Sequence, residues 1–248
     1  MTEKKRLEKE IALDAGPEQV WHAVSTAEGF STWFVPHYSD DDGNIVGDFG
    51  SGNESTGVLV EQDPGRRIVF ASENDGAQET LEFIVEGRDE STTVLRLIQS
   101  GDLGEDWQIE QHSRGWDMFF HNLREYLAGF AGQPVTNILA LNMTSMRSAE
   151  VWETFHRELG ITADAKVGDK VTATTPEGLP PIDGVIDLKG QGMLGIRSEN
   201  GLHRFGGEGA DTWGMVNVVH YYYGVDIDRD EATRAWQAWL DRLFPAAT

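Results

Sequence analysis

QHSRGWDMFFHNLREYLAGF, residues 111–130, decides the fold. Trp116, Phe119, Phe120, Leu123, Leu127 and Phe130 recur in it at helical spacing. They form a wide apolar stripe of period 3.6, with Asp117, Asn122 and Glu125 off it. His112 or Ser113 is the expected start, and Gly129 with Gly132-Gln133-Pro134 the expected end. Strand patterns precede it at Arg66 to Ser72, Thr80 to Gly87 and Ser91 to Ser100. There Leu81, Phe83 and Val85 oppose Glu82 and Glu86, and Leu95 and Leu97 oppose Arg96. One buried and one wet face is the mark of an antiparallel sheet. A helix with this stripe has to bury it, and the sheet is the available partner.

Upstream, Arg6 to Leu13 reads as a first strand with Leu7, Lys9, Ile11 and Leu13 on one face, only Lys9 being out of character. A helix follows, with Pro17 at its first position, Glu18 in its first turn and Val20, Trp21 and Val24 as its buried stripe. The Asp- and Gly-rich stretch DDDGNIVGDFGSGNESTG reads as loops and a weak strand.

Downstream, the plan repeats. PEQVWHAV (17–24) matches SAEVWETF (148–155), STGVLVEQ (55–62) resembles IDGVIDLK (182–189), and VLRLIQSG (94–101) resembles VNVVHYYYG (216–224). GWDMFFHNL (115–123) matches AWQAWLDRL (235–243), pairing Trp116 with Trp236 and Leu123 with Leu243. Four matches in one order point to tandem duplication. The expected domains are residues 1–133 and a diverged copy at 134–248, with the linker near Gly129 to Val135. The copy has Gly-rich strands and no counterpart of the DPGRR turn, so it is expected to be the less stable half.

The 248 residues carry 42 Asp and Glu against 20 Lys and Arg, a formal charge of −22. Such a surface repels phosphate backbones, which argues against nucleic acid as a partner. There is no cysteine, hence no disulfide framework and no thiolate nucleophile or ligand. No apolar run has the roughly 18 residues needed to span a bilayer, and the first residues lack a signal-peptide core. A cytoplasmic location is the expectation.

PEQVWHAVSTAEGFSTWF, then GVLVEQDPGRRIVFA, then EDWQIEQHSRGWDMFFHNLREYL resembles the START/SRPBCC helix-grip superfamily, within it the family related to activators of the 90-kDa heat-shock protein ATPase (AHSA-type). The resemblance covers roughly Lys4 to Phe130. It implies an α+β fold in which a curved antiparallel sheet grips a long C-terminal helix, here in two tandem domains. It also implies a cavity between sheet and helix. Members bind lipids, polyketides or other hydrophobic small molecules, some are cyclases or dehydratases, and the chaperone activators bind a protein.

The leading expectation is therefore binding of a small hydrophobic molecule, with a protein partner or cyclase/dehydratase chemistry as alternatives, in a monomer or weak dimer. Candidate ligand-binding residues are Phe70 and Phe83 on the sheet, Trp116, Phe119 and Phe120 on the helix, and Trp33, Phe34 and Trp107 in less regular segments where a mouth forms. No cofactor, metal or catalytic residue is marked. Asp40-Asp41-Asp42-Gly43-Asn44 lacks calcium-loop spacing, and no HExxH or GxSxG occurs. His112 beside Glu110 reads as a helix start before it reads as an acid/base pair. In His220-Tyr221-Tyr222-Tyr223 a strand lets Tyr221 with Tyr223, or Tyr222 alone, face inward.

Overall fold

The computed structural model of the chain describes residues 5–50, 52–74, 77–190, 192–212 and 214–245. It divides into two compact units, Met1–Gly132 and Gln133–Thr248.

The first unit runs β1 (Lys5–Leu13), α1 (Pro17–Ser25), α2 (Ala27–Ser31), β2 (His37–Ser39), β3 (Ile45–Asp48), β4 (Glu54–Asp63), β5 (Arg67–Asn74), β6 (Ala77–Gly87), β7 (Thr93–Gly101) and α3 (Asp106–Gly129). Its seven strands form an antiparallel sheet in the order β1-β7-β6-β5-β4-β3-β2. Successive hairpins build it from β2 to β7, and β1 then closes on β7 (Leu7 opposite Gln99, Lys9 opposite Leu97). Pro17 does open α1, where a missing N–H costs nothing.

The closing helix α3 starts earlier than its aromatic stripe. Glu105 is the N-cap, and its backbone N–H donates to Gln108 Oε1 at 2.7 Å, so a capping box that opens seven residues before His112 sets the start. His112 and Ser113 are therefore interior to the helix. Trp116, Phe120, Leu123 and Phe130 are buried as expected, but so are Met118, Tyr126 and Asn122. Asn122 is tolerated there because Nδ2 donates to the Trp33 carbonyl at 3.3 Å.

The second unit runs β8 (Val135–Met143), α4 (Ser148–Leu159), β9 (Lys170–Ala173), β10 (Ile182–Gly190), β11 (Met193–Ser198), β12 (Gly201–Glu208), β13 (Met215–Tyr223) and α5 (Arg229–Leu243). Its sheet order, β8-β13-β12-β11-β10-β9, is that of the first unit less one strand. Among the described residues it has no counterpart of α2. The duplication extends to an irregularity: β4 shifts register between Leu59 and Glu61, and β10 does so between Ile186 and Leu188, the same places in the matched segments. Phe155, Phe205, Trp236, Trp239 and Phe244 are buried in the core under α5.

Strand register arranges the inner face of the first sheet into rows. One row is Lys5, Gly101, Glu79, Ser72; the next is Leu7, Gln99, Leu81, Phe70, Leu59; the next is Lys9, Leu97, Phe83, Ile68, Gln62. The face thus grades from a polar end to an apolar one. The outer face carries ion pairs, Arg96 with Glu10 at 3.0 Å and Arg67 with Glu61 and Glu82. It is not wholly wet, since Val69, Val94 and Ile98 on it are also buried.

Candidate functional site

Two ion pairs fix how α3 lies on the sheet. Lys5 Nζ is 2.8 Å from Asp106 Oδ1, and Lys9 Nζ is 2.6 Å from Asp117 Oδ1. The helix therefore runs along β1 with its first turns over the polar end. Residues 106–115 of α3 include no fully buried side chain, whereas Trp116 begins a buried run. The helix closes the sheet in its second half and leaves the face more open under its first.

An aromatic cluster forms the closed part. The Phe34 ring stacks on Trp116 (centroids 5.1 Å apart) and meets Phe119 edge-on at 4.3 Å. Trp116 in turn touches Phe83 at 6.3 Å and Phe120 at 6.3 Å, Trp33 lies 6.4 Å from Phe83, and Phe30 links Phe70 to the same cluster at 5.9 Å. Seven of the eight sequence candidates thus come together. Trp33 and Phe83 are completely buried, so they belong to the floor and not to a mouth. Trp33 can be buried whole because its indole N–H donates to the Ala23 carbonyl at 2.8 Å. Trp107 lies in the first turn of α3 and is 52% exposed.

The open part is bounded in part by residues that sequence reasoning missed. Leu59, in the row of Phe70 on the inner face, is 47% exposed, and Leu81, expected on that face and lying across Phe70 from Leu59, is half-buried. At the polar end, Trp116 Nε1 donates to Gln99 Oε1 at 2.9 Å, and Gln99 Nε2 donates to Glu79 Oε2 at 2.9 Å. His112, one turn before Trp116, has its Nδ1 buried without a hydrogen-bond partner. That Leu59, Glu79 and Gln99 share one face becomes visible only once strand pairing is known. His37 stacks on Phe30 at 5.0 Å with Nδ1 2.7 Å from the Val35 carbonyl. Burial pushes its pKa down to about 4, so the ring is neutral at neutral pH.

The same place in the second unit is filled differently. Counting back from the glycines that follow or end the two strands, Gly101 and Gly224, Tyr222 replaces Gln99 and His220 replaces Leu97. The match of the two strands is therefore one residue out of step at its start. His220 and Tyr222 face inward. Tyr221 and Tyr223 lie on the opposite face, both buried, with their rings parallel at 6.4 Å. The His220 ring packs on Trp236 at 4.5 Å and on His203 at 5.2 Å, and His203 Nε2 lies 3.0 Å from Ser198 Oγ. Neither nitrogen of His220 has a partner in good hydrogen-bond geometry, and the Val219 backbone offsets its desolvation only in part. Desolvation holds His220 well below its ordinary pKa and pushes His203 down to about 3. Burial raises the Tyr222 hydroxyl, against the opposing effect of the nearby Trp236 indole. These rings make a closed core. A groove of about 430 Å³ runs along the α4–β9 connection and β9, lined by Ile161, Thr162, Asp169 and Lys170 among others. Among the described residues no cluster of three or more His, Cys, Asp or Glu is placed to hold a metal. No helix among them is long and apolar enough to cross a membrane.

An antiparallel sheet followed by a long C-terminal helix, built twice, defines a tandem helix-grip fold. Residues 14–128 match the family described as Activator of Hsp90 ATPase homolog 1-like protein. Solved structures of similar fold include DynU16, from the dynemicin biosynthetic locus (18% identity, 96% of each chain, TM-score 0.45). They also include the di-domain ARO/CYC BexL of the BE-7585A biosynthetic pathway (13% identity, 98% of this chain and 100% of that one, TM-score 0.42). The Aha1 dimer from Colwellia psychrerythraea is similar over 50% of this chain and 96% of its own (18% identity, TM-score 0.43). No curated protein matches the sequence.

Proposed function

We propose that the first unit binds a small hydrophobic molecule between the inner face of its sheet and the first half of α3. Leu59, Leu81 and Phe70 line the sheet side, and Trp116, Phe119 and Phe34 close the inner end. Trp33, Phe83 and Phe120 form the floor beneath, and Trp107 stands at the open end of the helix. The observation that carries this reading is Leu59. An apolar side chain on the inner face, in the same row as a buried Phe, is nearly half exposed where a closed core would cover it. The second unit presents its histidine and tryptophan rings packed together at the equivalent place, so it serves as the scaffold half.

Calorimetric titration of the full chain with naphthalene-ring compounds and medium-chain lipids tests the proposal. At least one is expected to bind, and Leu59→Lys is expected to weaken it tenfold or more by placing a charge in the groove, about 1.4 kcal/mol or more. If no compound binds and native mass spectrometry finds no retained small molecule, the reading is lost.

A second reading, a protein-docking or chaperone-regulating role, draws on Val58 and Val60, which are exposed on β4 beside its bulge. Its test is the ATPase rate of a 90-kDa heat-shock protein with and without the chain. A rate change that survives Leu59→Lys and disappears in Val60→Glu supports docking. An unchanged rate removes it.

A further inference from the structure

We infer that the open groove of the first unit selects apolar ligands whose polar end donates a hydrogen bond, such as a phenol or an alcohol, over ligands that end in a carboxylate or another anion. The inference rests on the groove reading above and names the chemistry its polar end accepts.

The argument starts with the direction of one hydrogen-bond relay. An indole N–H can only donate, so the Gln99 atom facing Trp116 is its oxygen. A carboxylate accepts, so the Gln99 atom facing Glu79 is its nitrogen. Both contacts, at 2.9 Å, agree on one orientation of the amide. Donors are thereby used up inward along the chain Trp116, Gln99, Glu79. What the relay presents at its outer end is the rest of the Glu79 carboxylate, which accepts and does not donate.

Glu79 sits on the inner face, opposite Ser72 on one side and Gly101 on the other. Gly101 puts no side chain beside it. The cation in that row, Lys5, is engaged at 2.8 Å by Asp106 of α3. The relay therefore ends in negative charge at the rim of an apolar groove. A ligand hydroxyl reaching it makes a charge-assisted hydrogen bond, the stronger kind. A ligand carboxylate has to lose its water beside a like charge, which is unfavourable twice over. The −22 charge of the chain adds a long-range bias in the same direction.

The test compares ligands that share one ring and differ in the polar end. At pH 7, 2-naphthol and 2-naphthoate are titrated calorimetrically into the full chain and into Glu79→Gln. The wild-type chain is expected to favour 2-naphthol by about tenfold or more, and the variant to bring the two within about threefold. A ligand-side series needs no variant: 2-naphthalenemethanol should group with 2-naphthol, and naphthalene-2-sulfonate with 2-naphthoate. Equal or tighter binding of the anions to the wild-type chain overturns this inference and leaves the groove standing. So does a preference that is the same in Glu79→Gln. If neither class binds, the groove reading fails and takes the inference with it.

Discussion

Lys9 Nζ lies 2.6 Å from Asp117 Oδ1 and ties the first strand to the middle of the closing helix. The Lys9 side chain is only 20% exposed and that of Asp117 58%, so solvent screens the pair from one side. A pair of this kind contributes little, of order 0.2–1 kcal/mol. A double-mutant cycle of Lys9→Met and Asp117→Asn, followed by urea denaturation, should give a coupling in that range that shrinks with salt. Lys9→Ala should cost more than Lys9→Met, because the apolar stem packs on the inner face. A coupling above about 2 kcal/mol would mean that the pair is shut off from water and that α3 closes tightly over it on β1.

Leu123 is fully buried at the centre of the α3 stripe. Leu123→Ala should therefore destabilise the first unit by about 2–5 kcal/mol, the range for emptying a buried leucine site. Urea denaturation of the full chain, read on the transition of the first unit, measures it. A loss below about half a kcal/mol would put Leu123 on the wrong face of the helix.

Leu123 and Lys9 also show what the sequence makes legible. The period-3.6 stripe through Trp116, Phe120 and Leu123 and the alternation through Phe83 and Leu97 are local patterns, and they gave the two grips and their order. The start of α3 escaped because it depends on the Glu105–Gln108 capping box, which lies outside the aromatic run. Asn122 read as surface because its partner, the Trp33 carbonyl, is far away in the chain. Lys9 broke its strand pattern for the same reason. The groove was the least legible part. Leu59, Glu79 and Gln99 share a face only through the register of four paired strands, and a bulge in β4 decides which side Leu59 takes.

The second unit should lose stability in mildly acidic solution. His203 and His220 are both buried, next to each other and near Arg204, with Asp187 bonded to that arginine at 2.7 Å and the Tyr222 ring alongside. Both pKa values are depressed in the folded state, His203 to about 3. Above the unfolded histidine value, about 6.5, both states are neutral and the stability is intact. As pH falls below it, only the unfolded chain takes up protons, so stability falls until the folded pKa is reached. The slope is about 1.4 kcal/mol per pH unit for each histidine between roughly pH 6 and 4. Denaturation at pH 7, 6 and 5 should show it, and His220→Leu should flatten it by about half. An unchanged slope in that variant would assign the acid sensitivity to carboxylates instead.

Gly207 shows why the Gly-rich strands of the second unit need not be weak ones. A Cβ there would lie 2.7 Å from Val151 Cγ1 and 2.9 Å from Phe155 Cε2, so the bare backbone is what lets α4 pack against β12. Gly207→Ala should cost about 1–3 kcal/mol by overpacking, where a glycine merely loosening a strand would give a gain. Thermal unfolding decides between the two signs.

The last expectation concerns the halves. Each sheet draws all its strands from its own unit, and each closing helix lies in the unit whose stripe it buries. Residues 1–133 should therefore fold when expressed alone, with a complete sheet, α3 and the aromatic cluster around Phe34. Residues 134–248 carry a core of comparable chemistry, but it encloses His203 and His220 with nitrogens that lack partners, and each such group costs about 1–3 kcal/mol. The second half alone should melt lower than the first, and the gap should widen from pH 7 to pH 5, because the first half has one histidine depressed by burial, His37, against His203 and His220 in the second. That combination separates the histidine explanation from one based on glycine content, which predicts a gap independent of pH. A second half that melts above the first at pH 7 would overturn this expectation.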